Sequence, residues 1–402
     1  MYIIKLAWNN LWYNTKRTAA LLLIIAVASS AILLYQGYVE YSSEGMTLGY
    51  ISTSGNFQIA TERYWQHTDD ADVLMDSATV NAVRQILASL EDVTFYDCVF
   101  EYDGIIGTET SSAIFWGKGY DEPNRHSGVV DGMPVFRDDD TILIGSILAS
   151  KLHHTMTDGI RYLSVMSSSP EAGLCLGSFA VSGIVETGIP QNDAGLLIST
   201  RATALSLLES DDAASYVQVH LSDNKKTASI TATVEQRLHD AGIPCTTKTW
   251  EELNPSFKQV DSLNRIQFSV IRIILGVLIF IALMQTLSTA FLERLNEFGT
   301  VEAIGMPKWH IICMVLVETA FLIILGIILS FAVSAATDVL VQACKVTLNP
   351  PGYTASYPVR FYFVPQKVAA SVLFILLSCA LAVVMPVKSI FKTDAARLIN
   401  HI

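Results

Sequence analysis

Apolar residues are gathered into four long blocks along the chain, and each block predicts a membrane-spanning helix. Residues 18–39, 273–292 and 368–387 contain no charge, and residues 311–337 contain a single charge, Glu318. About 20 consecutive apolar residues are enough for a helix to cross ~30 Å of hydrocarbon. The pattern therefore predicts four transmembrane helices, which we place at 18–38, 267–292, 311–337 and 368–387.

The first block has a second interpretation. Lys16 and Arg17 precede it, and the small residues of Ala26-Val27-Ala28 resemble the cleavage site of a secretory signal peptide. The apolar run continues beyond that site, which favours a retained span. An intact-mass measurement on the purified chain separates the two interpretations.

Residues 1–17 show helical periodicity of their own. Apolar side chains follow the i, i+3, i+4, i+7, i+8 spacing of one helix face, at Ile4, Ala7, Trp8, Leu11 and Trp12. Tryptophan favours the level of the lipid headgroups. We predict a cytoplasmic interfacial helix, with the start of a longer first membrane helix as the alternative.

Between the first two blocks, residues 39–266 alternate helical and strand patterns. Helices are predicted at 78–90 and 227–240, and two strands of a hairpin at 161–166 and 179–185. Residues 167–178 would form an unusually long hairpin tip. Asn254-Pro255 suits the start of the helix that leads into the second span. The predicted fold is an α-helical membrane protein with four transmembrane helices and a large extracytoplasmic α+β domain inserted between helices 1 and 2.

The distribution of basic residues predicts the orientation. Lysine and arginine cluster at Lys5, Lys16 and Arg17, again in the loop 293–310, and again in the tail 388–402. Cytoplasmic flanks carry such an excess. Both termini and this loop are therefore predicted to be cytoplasmic, in the inner (cytoplasmic) membrane of the cell. The domain 39–266 and the loop 338–367 are predicted to lie outside.

Composition supports a membrane protein. The chain is 51% hydrophobic and 16% charged, whereas soluble chains carry about 25% charged residues. The formal net charge is −12, and the cytoplasmic pieces are basic, so the outer part is strongly acidic. An acidic exterior argues against a nucleic-acid partner. The six cysteines show no framework spacing, so no disulfide pairing is predicted.

Sequence signatures of catalysis are missing from the chain. No Gly-Lys-Ser or Gly-Lys-Thr sequence is present for a phosphate-binding loop, and no cysteine or histidine cluster has zinc spacing. His153 and His154 are adjacent and would point apart on a helix. Glu318 is a functional candidate because it is an ionisable residue inside a span. We predict a non-catalytic chain without cofactor or metal.

The cytoplasmic loop is the most specific segment. Its sequence resembles the coupling segment of ABC permeases in the MacB/FtsX/LolC–LolE superfamily, in which Glu-Arg is followed by Arg/Glu-Ile-Gly and then Ala-Ile-Gly-Met. Asn296 and Phe298 depart from the usual Arg or Lys and Ile. The predicted ATPase-coupling residues are Glu293, Arg294, Glu297, Phe298, Gly299, Ala303, Ile304, Gly305 and Met306. Further likeness at 6–12, 142–149, 318–326 and 386–398 extends the resemblance over nearly the whole chain.

The resemblance implies two permeases, identical or paralogous, working with two cytoplasmic ATPase subunits that bind ATP and Mg. In layout the chain is most similar to lipoprotein-releasing permease subunits of the LolC–LolE type. In those, an outer hairpin binds a periplasmic carrier protein, and here the corresponding tip would use Pro170, Leu174, Cys175 and Leu176.

Two alternatives to lipoprotein release stay open. One is MacB-like efflux or FtsX-like mechanotransmission to a cell-wall hydrolase. The other is a membrane-anchored sensor or scaffold without transport. The sequence does not identify the substrate or any outer partner, and it does not distinguish a homodimer from a heterodimer.

Overall fold

A computed structural model describes residues 8, 15–66, 73–123, 129–132, 141–155, 162–169, 172–293, 300, 307–348 and 356–392. The helices in chain order are α1 (Thr15–Ser54), α2 (Glu62–Trp65), α3 (Ser77–Ala88), α4 (Ser146–Lys151), α5 (Pro190–Asp193), α6 (Arg201–Leu207), α7 (Thr227–Asp240), α8 (Trp250–Leu253), α9 (Pro255–Glu293), α10 (Lys308–Ala343) and α11 (Pro365–Lys392). A 3₁₀ turn at Asn224–Lys226 precedes α7.

The strands in chain order are β1 (Phe57–Thr61), β2 (Val93–Gly107), β3 (Ser112–Tyr120), β4 (Val129–Gly132), β5 (Thr141–Gly145), β6 (Tyr162–Ser169), β7 (Gly173–Val185), β8 (Leu196–Thr200), β9 (Tyr216–Leu221), β10 (Cys245–Thr249), β11 (Thr347–Leu348) and β12 (Tyr357–Pro358). The chain divides into two compact units. One comprises residues 1–45, 259–347 and 358–402, and the other comprises 46–258 and 348–357.

Four long helices in the described residues are apolar enough to cross a membrane. They are α1, α9, α10 and α11, so the prediction of a four-helix membrane protein with an inserted α+β domain is confirmed. The predicted spans 18–38, 267–292, 311–337 and 368–387 each lie inside one of these helices. Where the bilayer begins and ends along them stays a prediction.

Helix α1 is described from Thr15 and continues without a break to Ser54, and the boundary at residue 18 between an interfacial helix and the first span stays a prediction. Lys16 and Arg17 continue directly into the apolar run as part of the same helix. Before Thr15 only Trp8 is described, and its ring packs edge-on against Phe321 with 5.4 Å between the ring centroids; residues 1–7 and 9–14 of the predicted interfacial helix lie outside the described residues.

Small residues let the membrane helices pack closely. A Cβ atom at Gly326 of α10 would lie 2.6 Å from the Cγ2 atom of Ile25 on α1. A Cβ atom at Gly276 of α9 would lie 2.7 Å from the ring of Phe374 on α11. Close approach over small residues is a common packing mode for membrane helices, because association there depends on van der Waals contact.

The unit 46–258 and 348–357 contains the predicted outer domain, and we call it the outer unit. Part of it is a four-stranded antiparallel sheet covered by two helices. The strand order is β10-β1-β9-β2, with α3 connecting β1 to β2 and α7 connecting β9 to β10. This is the order of a ferredoxin-like split βαβ arrangement. Apolar residues of α3 and α7 occur at helical spacing and are buried on the sheet, at Val80, Val83, Leu87, Ile230, Val234 and Leu238.

Strand β2 and five strands from the segment between β2 and β9 (β3, β5, β6, β7 and β8) close into a six-stranded barrel, and β4 pairs with β7 beside it. Strand β2 pairs with β3, β3 with β8, β8 with β5, β5 with β7, β7 with β6, and β6 returns to β2. Closure leaves these strands without a free edge. Inward side chains such as Phe115, Ile142, Leu163, Val165 and Leu197 fill the interior. Strand β2 belongs to both the sheet and the barrel, so it links the two lobes of the outer unit.

Candidate functional site

The predicted coupling loop connects the end of α9 to the start of α10. Glu293 is the last residue of α9 and is exposed, and Pro307 precedes the first turn of α10 in extended conformation. The other predicted coupling residues lie outside the described residues; these are Arg294, Glu297, Phe298, Gly299, Ala303, Ile304, Gly305 and Met306. Because the loop joins two of the four long helices directly, a displacement of the loop would act on both.

Glu318 lies on α10 and is buried, with 7% of its surface exposed. Its neighbour Thr319 is buried as well and donates a hydrogen bond to the carbonyl oxygen of Val315, 2.8 Å away. Elsewhere in the bundle, the hydroxyl of Ser371 on α11 donates to the amide oxygen of Gln36 on α1. Glu318 therefore belongs to a set of polar groups inside the bundle, and a functional role for it stays a prediction.

Charged residues join three of the long helices in the first third of α9. Arg265 of α9 contacts Glu40 of α1 at 3.6 Å and Asp261 of its own helix at 2.7 Å. Lys367 of α11 also reaches Glu40, at 3.3 Å. These ion pairs hold one face of α9 against α1 and α11.

The predicted hairpin tip at 167–178 is wrong in its extent. Strands β6 and β7 stay paired up to Ser169 and Gly173, so the turn contains only residues 170–172. The serines that suggested a loop, Ser167 to Ser169, are paired with β7 as part of strand β6. The hydroxyl of Ser167 donates to the carbonyl oxygen of Asp103 at 2.5 Å, and Gly104 lacks the Cβ atom that would block the approach of β6 to β2.

The described tip residues do not share one face of the strand. Leu174 and Leu176 point outward and are 67% and 72% exposed. Cys175 lies between them on β7, faces the barrel interior and is 7% exposed, so it presents little surface to a partner. Successive strand residues point to opposite faces, which makes this alternation unavoidable once β7 extends to Gly173. Pro170 lies outside the described residues.

Leu176 is one end of an apolar row that crosses four adjacent strands. The pairing register places Ile114 of β3 opposite Ile105 of β2, Ile105 opposite Met166 of β6, and Met166 opposite Leu176 of β7. Directly paired side chains on one sheet face lie about 5 Å apart. We call these four residues the barrel row.

The barrel row is accessible. Ile114 is 70% exposed, Ile105 is 41% exposed and Met166 is half-buried. Trp116, two residues along β3 from Ile114, adds another partly exposed apolar side chain. A contiguous exposed apolar patch of this kind marks an interaction surface more often than isolated apolar residues do. The sequence alone could identify Leu174 and Leu176 but not the row, because the row depends on strand register.

A cluster of ion pairs lies at the junction of the two lobes of the outer unit. Arg201 on α6 donates to Asp121 at 2.6 Å and to Asp212 at 2.5 Å, and Arg84 on α3 also contacts Asp121 at 2.6 Å. The hydrogen bond from Arg201 holds the pKa of Asp212 below its usual value. Arg84 and Arg201 both pair with Asp121, so these ion pairs connect α3 to α6, and we assign them a structural role. Among the described residues, no group of three or more His, Cys, Asp and Glu side chains could hold a metal.

One family model matches part of the chain. Residues 269–395 match the family model described as FtsX-like permease C-terminal. No curated protein matches the chain.

Two solved outer domains are similar in structure. One is the periplasmic region of MacB from Actinobacillus actinomycetemcomitans, at 12% identity and a TM-score of 0.37, covering 52% of this chain and 94% of that chain. The other is the extracellular domain of the noncanonic ABC-type transporter YknZ from Gram-positive bacteria, at 11% identity and a TM-score of 0.35, covering 48% and 100%. These scores are too low to support an argument about function.

Proposed function

We propose a transport function for this chain on the premise that it carries an FtsX-like permease domain of the MacB/FtsX superfamily of ABC permeases. In our proposal it is a non-catalytic permease subunit of the inner membrane. A separate cytoplasmic ATPase binds ATP and Mg, and a second permease completes the transporter. The observation that carries this proposal is the family match, which covers the coupling loop and the helices on both sides of it.

The proposed mechanism is mechanical. Closure of the ATPases around ATP displaces the loop 293–310, and α9 and α10 move with it. Helix α9 is unbroken over 39 residues, which corresponds to about 58 Å, whereas a membrane core is only ~30 Å thick. A continuous helix of that length can carry a displacement beyond the bilayer. Packed helices shift between discrete arrangements, so the motion would have two end states.

Mutation of the loop tests this mechanism. Gly299→Glu and Ala303→Glu place bulky charges on the predicted ATPase contact, and we expect the ATPase to be lost from the purified complex. Gly299→Ala and Ala303→Ser are the matched controls and should retain it. Undiminished ATPase co-purification with both charged variants would contradict the coupling role.

We further propose that the outer domain hands lipoproteins to a soluble periplasmic carrier, as in permeases of the LolC–LolE type. Support comes from the barrel row and from Leu174, two residues along β7 from Leu176, which together offer an exposed apolar surface on a closed barrel. An acyl-chain carrier has an apolar opening that must be shielded during transfer. A rigid apolar surface can provide that shield without exposing the acyl chain to water.

A photo-activatable residue at Leu176 identifies the partner directly. Capture of a small soluble lipoprotein carrier would support release, and loss of capture in Leu174→Asp would place the contact on the hairpin. Ser178→Asp is the control, because Ser178 is exposed on the same strand and already polar. Capture of a cell-wall hydrolase or an efflux partner instead would favour the MacB- or FtsX-like alternative. A complex without any ATPase would favour a sensor or scaffold.

A further inference from the structure

Arg272 lies directly before the uncharged part of α9. Residues 273–292 contain no charge, and Glu293 is the last residue of the helix. From Arg272 to Glu293 the helix rises about 32 Å, which is close to the ~30 Å thickness of the hydrocarbon core. With Glu293 at one surface of the bilayer, Arg272 therefore lies near the level of the lipid headgroups at the other surface.

Two aromatic rings contact the guanidinium group of Arg272. Its Cζ atom lies 5.3 Å from the ring centroid of Phe268 and 5.2 Å from that of Phe374 on α11. Phe268 precedes Arg272 by one turn, and its ring packs against Tyr35 of α1 with 5.8 Å between the centroids. Gly276 follows Arg272 by one turn, and a Cβ atom there would lie 2.7 Å from the ring of Phe374. The small residue leaves room for that ring beside Arg272.

The positive charge of Arg272 has no carboxylate partner in the part of the chain that the structure describes. Its Nε atom is buried, and no described acceptor lies within hydrogen-bond distance of it. Arg265, seven residues earlier on α9, differs because Asp261 and Glu40 both pair with it. Lys367 of α11 pairs with Glu40 as well. These two carboxylates are therefore already engaged by other basic residues.

Ring contacts leave the hydrogen-bonding capacity of the guanidinium group unused. A ring face attracts the positive charge, but it offers no oxygen to the five N–H donors that lie in the guanidinium plane. An unpaired charge is costly inside a membrane. Water can accept hydrogen bonds, but it does not neutralise the charge. At the level of the headgroups the phosphates of lipids can do both, and a phosphate accepts two parallel N–H bonds from one guanidinium group.

We propose that Arg272 binds the phosphate group of a membrane lipid, and that Phe268 and Phe374 position its guanidinium group for this contact. The site belongs to the leaflet opposite the coupling loop, which is the outer leaflet in the predicted orientation. Exposed apolar side chains follow on α9, beginning with Ile273, and they suit the acyl chains of the same lipid. The inference needs only the membrane helices, so it does not rest on the proposed transport function.

Lipid titration of the purified full chain in detergent, followed by native mass spectrometry, tests the site. The probe is dioleoyl phosphatidylglycerol, and dioleoylglycerol provides the same acyl chains without a phosphate. We expect Arg272→Gln to weaken phosphatidylglycerol binding about tenfold, because a charge-assisted pair is lost, and to leave dioleoylglycerol binding unchanged. Arg360→Gln is the matched control, since Arg360 is an exposed arginine of the same unit, and it should change neither. Equal phosphatidylglycerol binding by Arg272→Gln and the unmodified chain would overturn the proposal.

A double-mutant cycle tests the positioning role of the rings. Phe374→Leu should weaken phosphatidylglycerol binding about threefold when Arg272 is present, because one cation–π contact is lost. In the Arg272→Gln background the same change should have no further effect, since the ring then has no cation to position. Equal losses in the two backgrounds would remove Phe374 from the site.

A measurement on the unmodified chain does not depend on how the variants fold. Phenylglyoxal modifies arginine side chains, and peptide mass mapping reports the extent at Arg272 and Arg360 separately. Phosphatidylglycerol should slow the modification of Arg272 and leave that of Arg360 unchanged, whereas dioleoylglycerol should protect neither.

Two outcomes of the phenylglyoxal experiment would overturn the assignment. Protection of Arg272 by dioleoylglycerol equal to that by phosphatidylglycerol would show that acyl chains alone cover the site. Inorganic phosphate at the same concentration should give no protection, because it lacks the acyl chains that hold a lipid at this depth. Equal protection by inorganic phosphate would assign the site to a free anion instead of a lipid.

Discussion

At the scale of single residues, two glycines permit backbone contacts that no other residue would allow. A Cβ atom at Gly104 of β2 would overlap the carbonyl oxygen of Met166 on β6, and a Cβ atom at Gly145 would overlap the carbonyl oxygen of Asp193. Backbone cannot move aside as a flexible side chain can. Gly104 therefore allows β6 to close the barrel beside β2.

Gly104→Ala should weaken the outer domain. The added methyl forces β6 away from β2, and overpacking of this kind costs about 1–3 kcal/mol. Urea unfolding of a fragment covering residues 46–258 measures the loss. Gly49→Ala in the same fragment is the control, since Gly49 lies in α1 with open space around it and alanine favours a helix. Equal stability of the two variants would contradict the close approach.

Arg201 determines the acid sensitivity of the junction between the two lobes. The folded pKa of Asp212 lies below its unfolded value of 3.8, first because of the hydrogen bond from Arg201. A depressed pKa adds stability that is complete above the unfolded pKa and is lost as the pH falls through the folded pKa. Asp212 is half exposed, so solvent screening limits the contribution.

Asp212→Asn should therefore destabilise the fragment at neutral pH by at most about 1 kcal/mol. The difference from the unmodified fragment should be smaller at a pH below 3.8 than at neutral pH, because the stability due to a lowered pKa is lost as the pH falls below the unfolded value. Urea unfolding at both pH values measures the change. A difference that is the same at both pH values would show that charge pairing with Arg201 is not its cause.

At the scale of elements, the membrane helices depend on shape more than on polarity. Ile25 of α1 packs against Gly326 of α10, and Phe374 of α11 packs against Gly276 of α9. Lipid tails are as apolar as the side chains, so helix association depends on such close fit. Each glycine matches one large side chain on the neighbouring helix, which makes the contacts testable in pairs.

Gly326→Ala should lower the thermal stability of the detergent-solubilised protein, because the new methyl meets Ile25 at 2.6 Å. Ile25→Ala alone should also destabilise the bundle, by leaving a cavity. Combined, the two changes should cost less than the sum of their separate effects, since one removes the clash created by the other. Additive losses would show that these residues do not share a contact.

At the scale of the whole molecule, the cysteines report on membrane topology. Burial raises the pKa of Cys98 and of Cys245 to about 11, so both thiols stay neutral and unreactive near pH 7. Cys175 is buried in the barrel. Cys344 is exposed at the end of α10, in the segment predicted to lie outside the cell membrane.

A membrane-impermeant maleimide should label Cys344 in intact spheroplasts. Cys344→Ser should abolish that labelling. With Cys344 replaced, Thr300→Cys in the coupling loop should be labelled only after the membrane is permeabilised. Labelling of Thr300→Cys from outside would reverse the orientation and remove the proposed site of ATPase contact.

The sequence by itself determined the four long helices and the faces of the amphipathic ones. A helix needs about 20 consecutive apolar residues to cross a bilayer. Because this requirement concerns one continuous segment, the sequence of that segment is enough to recognise it. The helix predicted at 78–90 is found at Ser77–Ala88, and the one predicted at 227–240 has the same bounds in the structure. The loop motif indicated an ABC permease, and residues 269–395 match the family model described as FtsX-like permease C-terminal.

Only the tertiary structure decided how the barrel closes and where its apolar row lies. Ser167 to Ser169 suggested a loop because serine is common in turns, but pairing with β2 and β7 made them strand. Ile105, Met166 and Leu176 lie far apart in sequence, and strand register brings them into one line. A one-residue shift would turn each side chain to the other face. Such information belongs to the contacts between strands, and no single segment contains it.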